Sequence, residues 1–377
     1  MVASYQDRAN PSSLHKPGRD ARRVAEESRE RLAALIGARP SEIIWTAGGT
    51  EADNLAIKGL YWSRQTPEQP RKRILISAIE HHAVLDPAFW LAEHAGAELT
   101  LLPVDEVGRL DTAALAEEIN RTPQQIALVA VMWANNEIGT VQPLAEVVAL
   151  AHRHGIPVHA DAVQVLGQLP IDFGAVGVDT MALSAHKVGG PGSVGALVAG
   201  RSVGLTPVLH GGGQERGVRS GTIDAPAAAG FAAAAEAAVH GMAEHAQNLR
   251  QLQTELIDRI SKEIPGARLS GPTDLAERLP ANVHFTFTGC EGDSLLYLLD
   301  AGGVSASSGS ACQAGVPQPS HVLIATGLDE HAARGALRFS FGHTSTSADI
   351  EKLMTVLPDA VARARSVGSL TAAAAGN

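Results

Sequence analysis

The run Ile126-Ala127-Leu128-Val129-Ala130-Val131-Met132-Trp133 is apolar throughout. Helical spacing follows over Leu144 to His154, then the short run Val158 to Ala160, then Thr180-Met181-Ala182-Leu183-Ser184. Apolar runs of strand length with a helix between them are the pattern of strands buried on both faces. Working outward, Glu42 to Thr46, Ile74 to Ala78 and Val194 to Ala199 read as further strands. Ala21 to Ile36 (stopped by Gly37), Glu51 to Trp62 and Ala83 to Ala95 read as helices. This alternation predicts an α/β layer built on a mostly parallel sheet. The rhythm changes at a long Ala-rich helical region from Ile223 to Ile264. Beyond it lie a strand pair, Val283 to Phe287 and Leu337 to Phe341, and helices over Ser294 to Leu299 and Ile350 to Ala364. A large domain over 1–236 and a smaller α+β domain over 237–377 are expected, with the boundary inside the long helix.

The chain has 377 residues, enough for two domains sharing a cleft. With 45% hydrophobic and 19% charged residues it reads as globular. A net charge of −10 disfavours nucleic acid or anionic lipid as a main partner. Cys290 and Cys312 are the two cysteines, which excludes a disulfide framework and fits a reducing, cytoplasmic setting. The first residues carry no apolar core of a secretory signal. The Ala225 to Val239 run is interrupted by Glu236, so a buried helix is expected there and not a membrane span. The Ala-rich tail after Leu370 is expected to fray.

Several polar segments fall at the ends of these strands, where open α/β sheets bind ligands. Ser184-Ala185-His186-Lys187 runs into Gly189-Gly190-Pro191-Gly192. A lysine so placed is either an ordinary surface residue or an amine able to form a Schiff base with an aldehyde cofactor. His159-Ala160-Asp161-Ala162-Val163-Gln164 offers Asp161 as a partner for a pyridine nitrogen and Gln164 for a ring oxygen; the alternative is a capping aspartate. Thr46-Ala47-Gly48-Gly49-Thr50-Glu51 can cradle a phosphate on backbone N–H groups, or form a plain N-cap. In Ile79-Glu80-His81-His82, His81 can stack on a ring and move protons, or the pair can be a polar turn or metal ligands. Asn135-Asn136-Glu137 can bond a ring oxygen or form a turn. Arg338, in an apolar strand, can hold a substrate carboxylate bidentately or form an internal ion pair. Cys312 lies in Ser305-Ala306-Ser307-Ser308-Gly309-Ser310-Ala311-Cys312-Gln313, a loop composition that suits an accessible, reactive thiol. Cys290 is read as structural.

Together these segments resemble the cysteine desulfurases of the NifS/IscS type, within the class V aminotransferase group. The resemblance runs from about Asn10 to Ala364 and is also carried by His210-Gly211-Gly212-Gly213-Gln214-Glu215-Arg216 and Arg219-Ser220-Gly221-Thr222. It implies fold type I of the pyridoxal-phosphate enzymes, pyridoxal 5′-phosphate as cofactor, L-cysteine as substrate and a homodimer. It implies Lys187 as the Schiff-base lysine, Asp161 at the pyridine nitrogen, His81 stacked on the ring, and Asn136 and Gln164 as ring contacts. Gly49, Thr50, Ser184 and His186 would hold the phosphate, with Thr222 supplied by the partner subunit. Asn10 and Arg338 would hold the substrate carboxylate. In the expected course, Lys187 is displaced by the cysteine amine and takes the α-proton. Cys312, as thiolate, then attacks the substrate sulfur; alanine leaves and a persulfide remains. The sulfur passes to an acceptor, an iron–sulfur scaffold or a tRNA-thiolation enzyme. No metal site is expected, apart from a transient iron–sulfur role for Cys312.

Three features depart from the family pattern. No Asp-x-x-Ala-Thr-Thr-Pro-like segment precedes Asn10, so a late start or a catalytically impaired paralogue is an alternative. Gly189 and Gln313 stand where a bulkier and a smaller residue are common. Rival readings are a selenocysteine lyase or other class V aminotransferase, a non-enzymatic scaffold, and a metal hydrolase using His81-His82, His152-x-His154 and His159-x-Asp161.

Overall fold

The computed structural model of the protein describes residues 9–308 and 318–375. In chain order the elements are α1 (Lys16–Leu35), β1 (Ile43–Thr46), α2 (Gly49–Ser63), β2 (Arg73–Ser77), α3 (His82–Ala95), β3 (Glu98–Leu102) and α4 (Thr112–Arg121). Then come β4 (Ile126–Ala130), α5 (Leu144–His152), β5 (Val158–Asp161), α6 (Phe173–Val176), β6 (Thr180–Ser184), β7 (Gly195–Ala199) and α7 (Ala225–His240). The chain ends with α8 (Met242–Glu263), β8 (Ala267–Leu269), β9 (Asn282–Phe287), α9 (Gly292–Ala301), α10 (His321–Ala325), α11 (Glu330–Arg334), β10 (Ala336–Ser340) and α12 (Ser347–Ala375). Two compact units result. The first comprises 1–103, 110–134 and 142–242; the second comprises 104–109, 135–141 and 243–377.

The first unit holds a seven-stranded sheet in the order β1-β7-β6-β5-β4-β2-β3. The neighbours from β6 to β3 are parallel, and β7 runs antiparallel to both β6 and β1. The expected mostly parallel α/β sheet is therefore present. Strands β2, β4, β6 and β7 are buried at every residue, which is why their sequences are apolar through the middle, with polar residues only at the ends of β2 and β6. Sequence reading misses β3 because it is the edge strand. Its Glu98, Leu99, Thr100 and Leu101 are partly or fully exposed, so it carries no clean apolar run.

This topology fixes where a ligand can sit. From β2 the chain moves outward to β3, then returns to place β4 on the other side of β2. The crevice at the carboxyl ends of β2 and β4 is thus a topological switch point. Because β7 reverses direction, the carboxyl ends of β1, β2, β4, β5 and β6 share one edge of the sheet. Gly195, at the start of β7, lies opposite both Thr46 and Ser184. A Cβ there would stand 2.6 Å from the Leu183 carbonyl and 2.7 Å from the Gly48 carbonyl carbon. Only a glycine lets the turn after β1 fold down against this edge.

Away from that edge, α1 packs on α7, and Arg29 joins Glu215 through two bonds of 2.9 Å. Glu215 also accepts from the Trp45 N–H, and Arg29 donates to the Ile43 carbonyl, so the buried pair clamps β1 through its backbone.

The second unit has a three-stranded antiparallel sheet, β10-β9-β8. Val283, Phe285, Phe287, Leu337 and Phe339 face a core completed by α8, α9 and α12. Asn282, His284 and Thr286 alternate onto the other face, with Arg338 directly opposite His284. The expected strand pair is thus present. The long helical region is two helices, interrupted at Gly241, whose lack of a side chain weakens helix continuity. The Ala-rich tail continues α12 to Ala375 where fraying was expected, in keeping with alanine's high helix propensity.

Gly195→Ala is expected to push the Gly48 turn off the sheet and to destabilise the protein by about 1–3 kcal/mol, the usual range for overpacking. An unchanged denaturant midpoint would show that the turn is not packed as described.

Candidate active site

The carboxyl edge of the first unit's sheet gathers buried acids. Asp161 ends β5 with 6% exposure and accepts from the Val163 N–H at 2.9 Å. Burial pushes its carboxyl up to about 6, against the opposing pull of the Val163 N–H and the Lys187 ammonium. Glu80, just past β2, accepts from the Met132 N–H beyond β4 at 2.6 Å and so bridges the crevice. Burial raises it to about 8. Asp53 on α2 is also raised, by burial first and then by the charges of Asp161 and Glu80. Asp161 keeps its carboxylate form most readily of the three and suits a cationic group beside it.

Lys187 supplies one cation. It sits in a short helical turn after β6, closed by Gly189 in the left-handed conformation at φ 76°. Its side chain is exposed, yet its charge lowers the proton affinity of Asp161, His81 and His186. His81 caps α3, its Nδ1 accepting from the Ala83 N–H at 3.0 Å, which puts the proton of the neutral ring on Nε2. Burial, His82 and Lys187 together hold His81 below the ordinary imidazole range.

The anion cradle is the start of α2. Gly48 is its N-cap, at φ 148° and with no side-chain cap, so the first N–H groups of the helix are left for another acceptor. Gly49 packs so closely that a Cβ would meet Val163 at 2.7 Å, tying the cradle to the loop after Asp161. Ser184 Oγ and His186 Nδ1 are 2.8 Å apart on the neighbouring strand end. Glu51 binds the Ala47 N–H and is gripped by Arg219, just before Gly221 and the exposed Thr222. A cleft of ≈ 380 Å³ is lined by Thr50, Asn54, Lys58, His81, His82 and Trp90, among others. Gln164 is half-buried one turn past Asp161. A phosphorylated pyridine fits these residues: its anion matches the uncapped helix start, and its ring N–H matches the buried carboxylate.

In the second unit, Arg338 Nη1 donates to the Asn136 carbonyl at 2.9 Å. Burial lowers its proton affinity and the Glu137 carboxylate opposes this. Glu137 in turn accepts from Ser320 Oγ at 2.5 Å. Arg338 is also paired through its backbone with Ser307. Asn10 belongs to the first unit, where its side chain accepts from the Ser12 N–H in an exposed turn. Cys312 lies outside the described residues. Cys290 is buried, and burial raises its thiol.

Sequence reasoning missed a chain behind Asp161. His159 Nε2 is 3.1 Å from Asp53, and His159 Nδ1 is 2.9 Å from Thr180 Oγ1, with His159 and Asp53 at most 1% exposed. The signal was available. Asp53 falls three residues after Thr50 on a helix, and His159 two residues before Asp161 on a strand, so each shares a face with its neighbour. The other histidines of the metal reading are dispersed: His82 pairs with Asp86 and His152 with Asp179. Among the described residues no group of three metal-ligating side chains occurs.

Comparison with known proteins agrees with the fold. Residues 2–353 match the family model for aminotransferase class-V. An IscS-like cysteine desulfurase of Mycobacterium tuberculosis is 53% identical over 97% of this chain and 92% of its own. A cysteine desulfurase IscS of Methanosarcina thermophila is 41% identical over 96% and 87%. Among solved structures, a NifS-like protein superposes with a TM-score of 0.84 at 31% identity, covering 98% of this chain and 94% of its own. The chain belongs to the class-V aminotransferase family, among its cysteine desulfurases of the IscS/NifS type.

Proposed function

We propose that this desulfurase uses pyridoxal 5′-phosphate to take sulfur from L-cysteine, leaving alanine and a persulfide on Cys312. The observation that carries the reading is that Asp161 and Lys187 follow neighbouring parallel strands, β5 and β6, at the sheet edge that also holds the uncapped start of α2. When bound, the cofactor supplies an electron sink for a substrate carbanion.

Each residue then has a task. Lys187 would hold the cofactor covalently, and its amine, when free, would take the substrate α-proton. Asp161 holds the ring N–H as a carboxylate. His81, with its proton on Nε2, stacks on the ring and can donate to the departing alanine carbon. Gln164 and Asn136 bond the ring. Gly49, Thr50, Ser184 and His186 hold the phosphate, with Thr222 coming from a second copy in a homodimer. Arg338 and Asn10 grip the substrate carboxylate. Cys312 attacks the substrate sulfur and hands it to an acceptor in the cytoplasm, an iron–sulfur scaffold or a tRNA-thiolation enzyme. The Asp161 carboxylate and the uncapped start of α2 support the cofactor assignment, and a solved relative described as SspA in complex with cysteine, 33% identical, supports the substrate.

Lys187→Ala is expected to lose the covalent cofactor link. Mass spectrometry after borohydride reduction checks this, and a retained adduct would refute the role. Cys312→Ser is expected to keep the cofactor colour while losing sulfur transfer to thiols; normal alanine production from that variant would move the nucleophile elsewhere. Asp161 binds the ring N–H only when ionised, and its carboxyl stands at about 6. Cofactor affinity should therefore be full well above that pH and fall as the pH drops through it. Asp161→Asn should flatten the profile, as read by absorbance titration.

A further inference from the structure

The inward face of α2 is mostly apolar, with Ala52, Ala56, Ile57 and Leu60 all buried. Asp53 interrupts it. A fully buried Asp–His pair is a poor way to gain stability, because desolvation offsets most of the attraction and apolar replacements are often as stable. Its location suggests another purpose. Asp53 stands one turn after Thr50, at the cradle. His159 stands two residues before Asp161, on the same face of β5. Their contact of 3.1 Å joins helix to strand, and the 2.9 Å contact from His159 to Thr180 extends the tie to β6, the strand that ends at Ser184. Three elements that each carry part of the site are thereby linked in one dry layer.

We propose that Asp53 and His159 are positioning residues that lock the two anchor points of the cofactor, the cradle at the start of α2 and the Asp161 carboxylate, at a fixed separation. The inference rests on the pyridoxal-phosphate reading above. The groups facing the pair are Asp161, Glu80 and Thr180, with the Lys187 charge acting on Asp161. Burial holds His159 down at about 3 and raises Asp53, so the shared proton rests on Asp53. Asp53 Oδ1–H then donates to His159 Nε2, His159 Nδ1–H donates to Thr180, and the pair adds no charge beside Asp161.

A fixed separation makes the two anchors act cooperatively, and this is measurable. Pyridoxal-phosphate Kd is determined by absorbance titration for Thr50→Val, Asp161→Asn and the double variant, in two backgrounds: otherwise native, and Asp53→Leu with His159→Leu. In the native background the two losses should be non-additive by at least fivefold. In the leucine background they should add to within twofold. Asp53→Asn, whose amide donates to His159 as the protonated acid does, should keep the native coupling. If the leucine pair does not fold, as read by the absence of a cooperative thermal melt, Asp53→Ala takes its place. Coupling that is absent natively, or unchanged in the leucine or alanine background, overturns the proposal, as does an Asp53→Asn background in which the coupling is lost as in the leucine background. A wild-type chain that binds no pyridoxal phosphate at all sinks the cofactor reading instead.

Discussion

Three carboxylic acids, Asp53, Glu80 and Asp161, share the dry carboxyl edge of one sheet, and the protein holds them there at a cost in desolvation. Each is raised in proton affinity by burial; the Asp161 charge raises Asp53 and Glu80 further, and that of Glu80 raises Asp53. Such a concentration persists only where it is hydrogen-bonded and where positive charge is brought in. The Val163 and Met132 N–H groups and His159 provide the hydrogen bonds, and Lys187 provides charge from the next strand end. The rest of the first unit can be understood as the scaffold for this balance: strands buried on both faces, a reversed β7, and a glycine where β7 passes the Gly48 turn.

The same arrangement explains what the sequence makes legible. Elements buried on both faces announce themselves, and Thr180 to Ser184 is read to the residue. The candidate site residues stand out because strand ends and the turns after them give no packing reason for Asp161, His81 or Lys187. Asp53 and His159 escape because each lies inside an element whose apolar neighbours dominate the pattern. One polar residue in a buried helix or strand looks like noise until the fold sets the two face to face. The edge strand β3 escapes for the opposite reason, since exposure dilutes its apolar content. Arg338 is legible as a buried cation needing a partner, but its partner is not. The Asn136 carbonyl it meets is a backbone group, which side-chain patterns do not reveal.

Glycine has two different roles at this edge. At Gly189 the backbone turns left-handed two residues after Lys187, so the residue at this position needs freedom of φ, and beyond its chain neighbours no heavy atom lies within 4 Å of where a Cβ would be. A bulkier residue would be strained by conformation and not by crowding. At Gly195 the backbone is ordinary and crowding decides. The Gly189 N–H bonded to the Ala185 carbonyl closes the turn that carries Lys187.

The choice of nucleophile follows from a similar weighing. A desulfurase that keeps sulfur on its own thiol has two cysteines to draw on here. Cys290 is 3% exposed, packs in the apolar core of the second unit, and lies 3.7 Å from the Val361 carbonyl. Burial raises its thiol, and the opposing pull of Arg365 does not reverse the shift. A thiol kept protonated in a closed core can neither attack a substrate sulfur nor pass one on. Cys312 carries no such handicap in sequence. Its segment follows Ser307, whose backbone is paired with that of Arg338, the proposed substrate clamp. The chain thus leaves the edge of β10 at Arg338 itself and reaches Cys312 through serine, glycine and alanine.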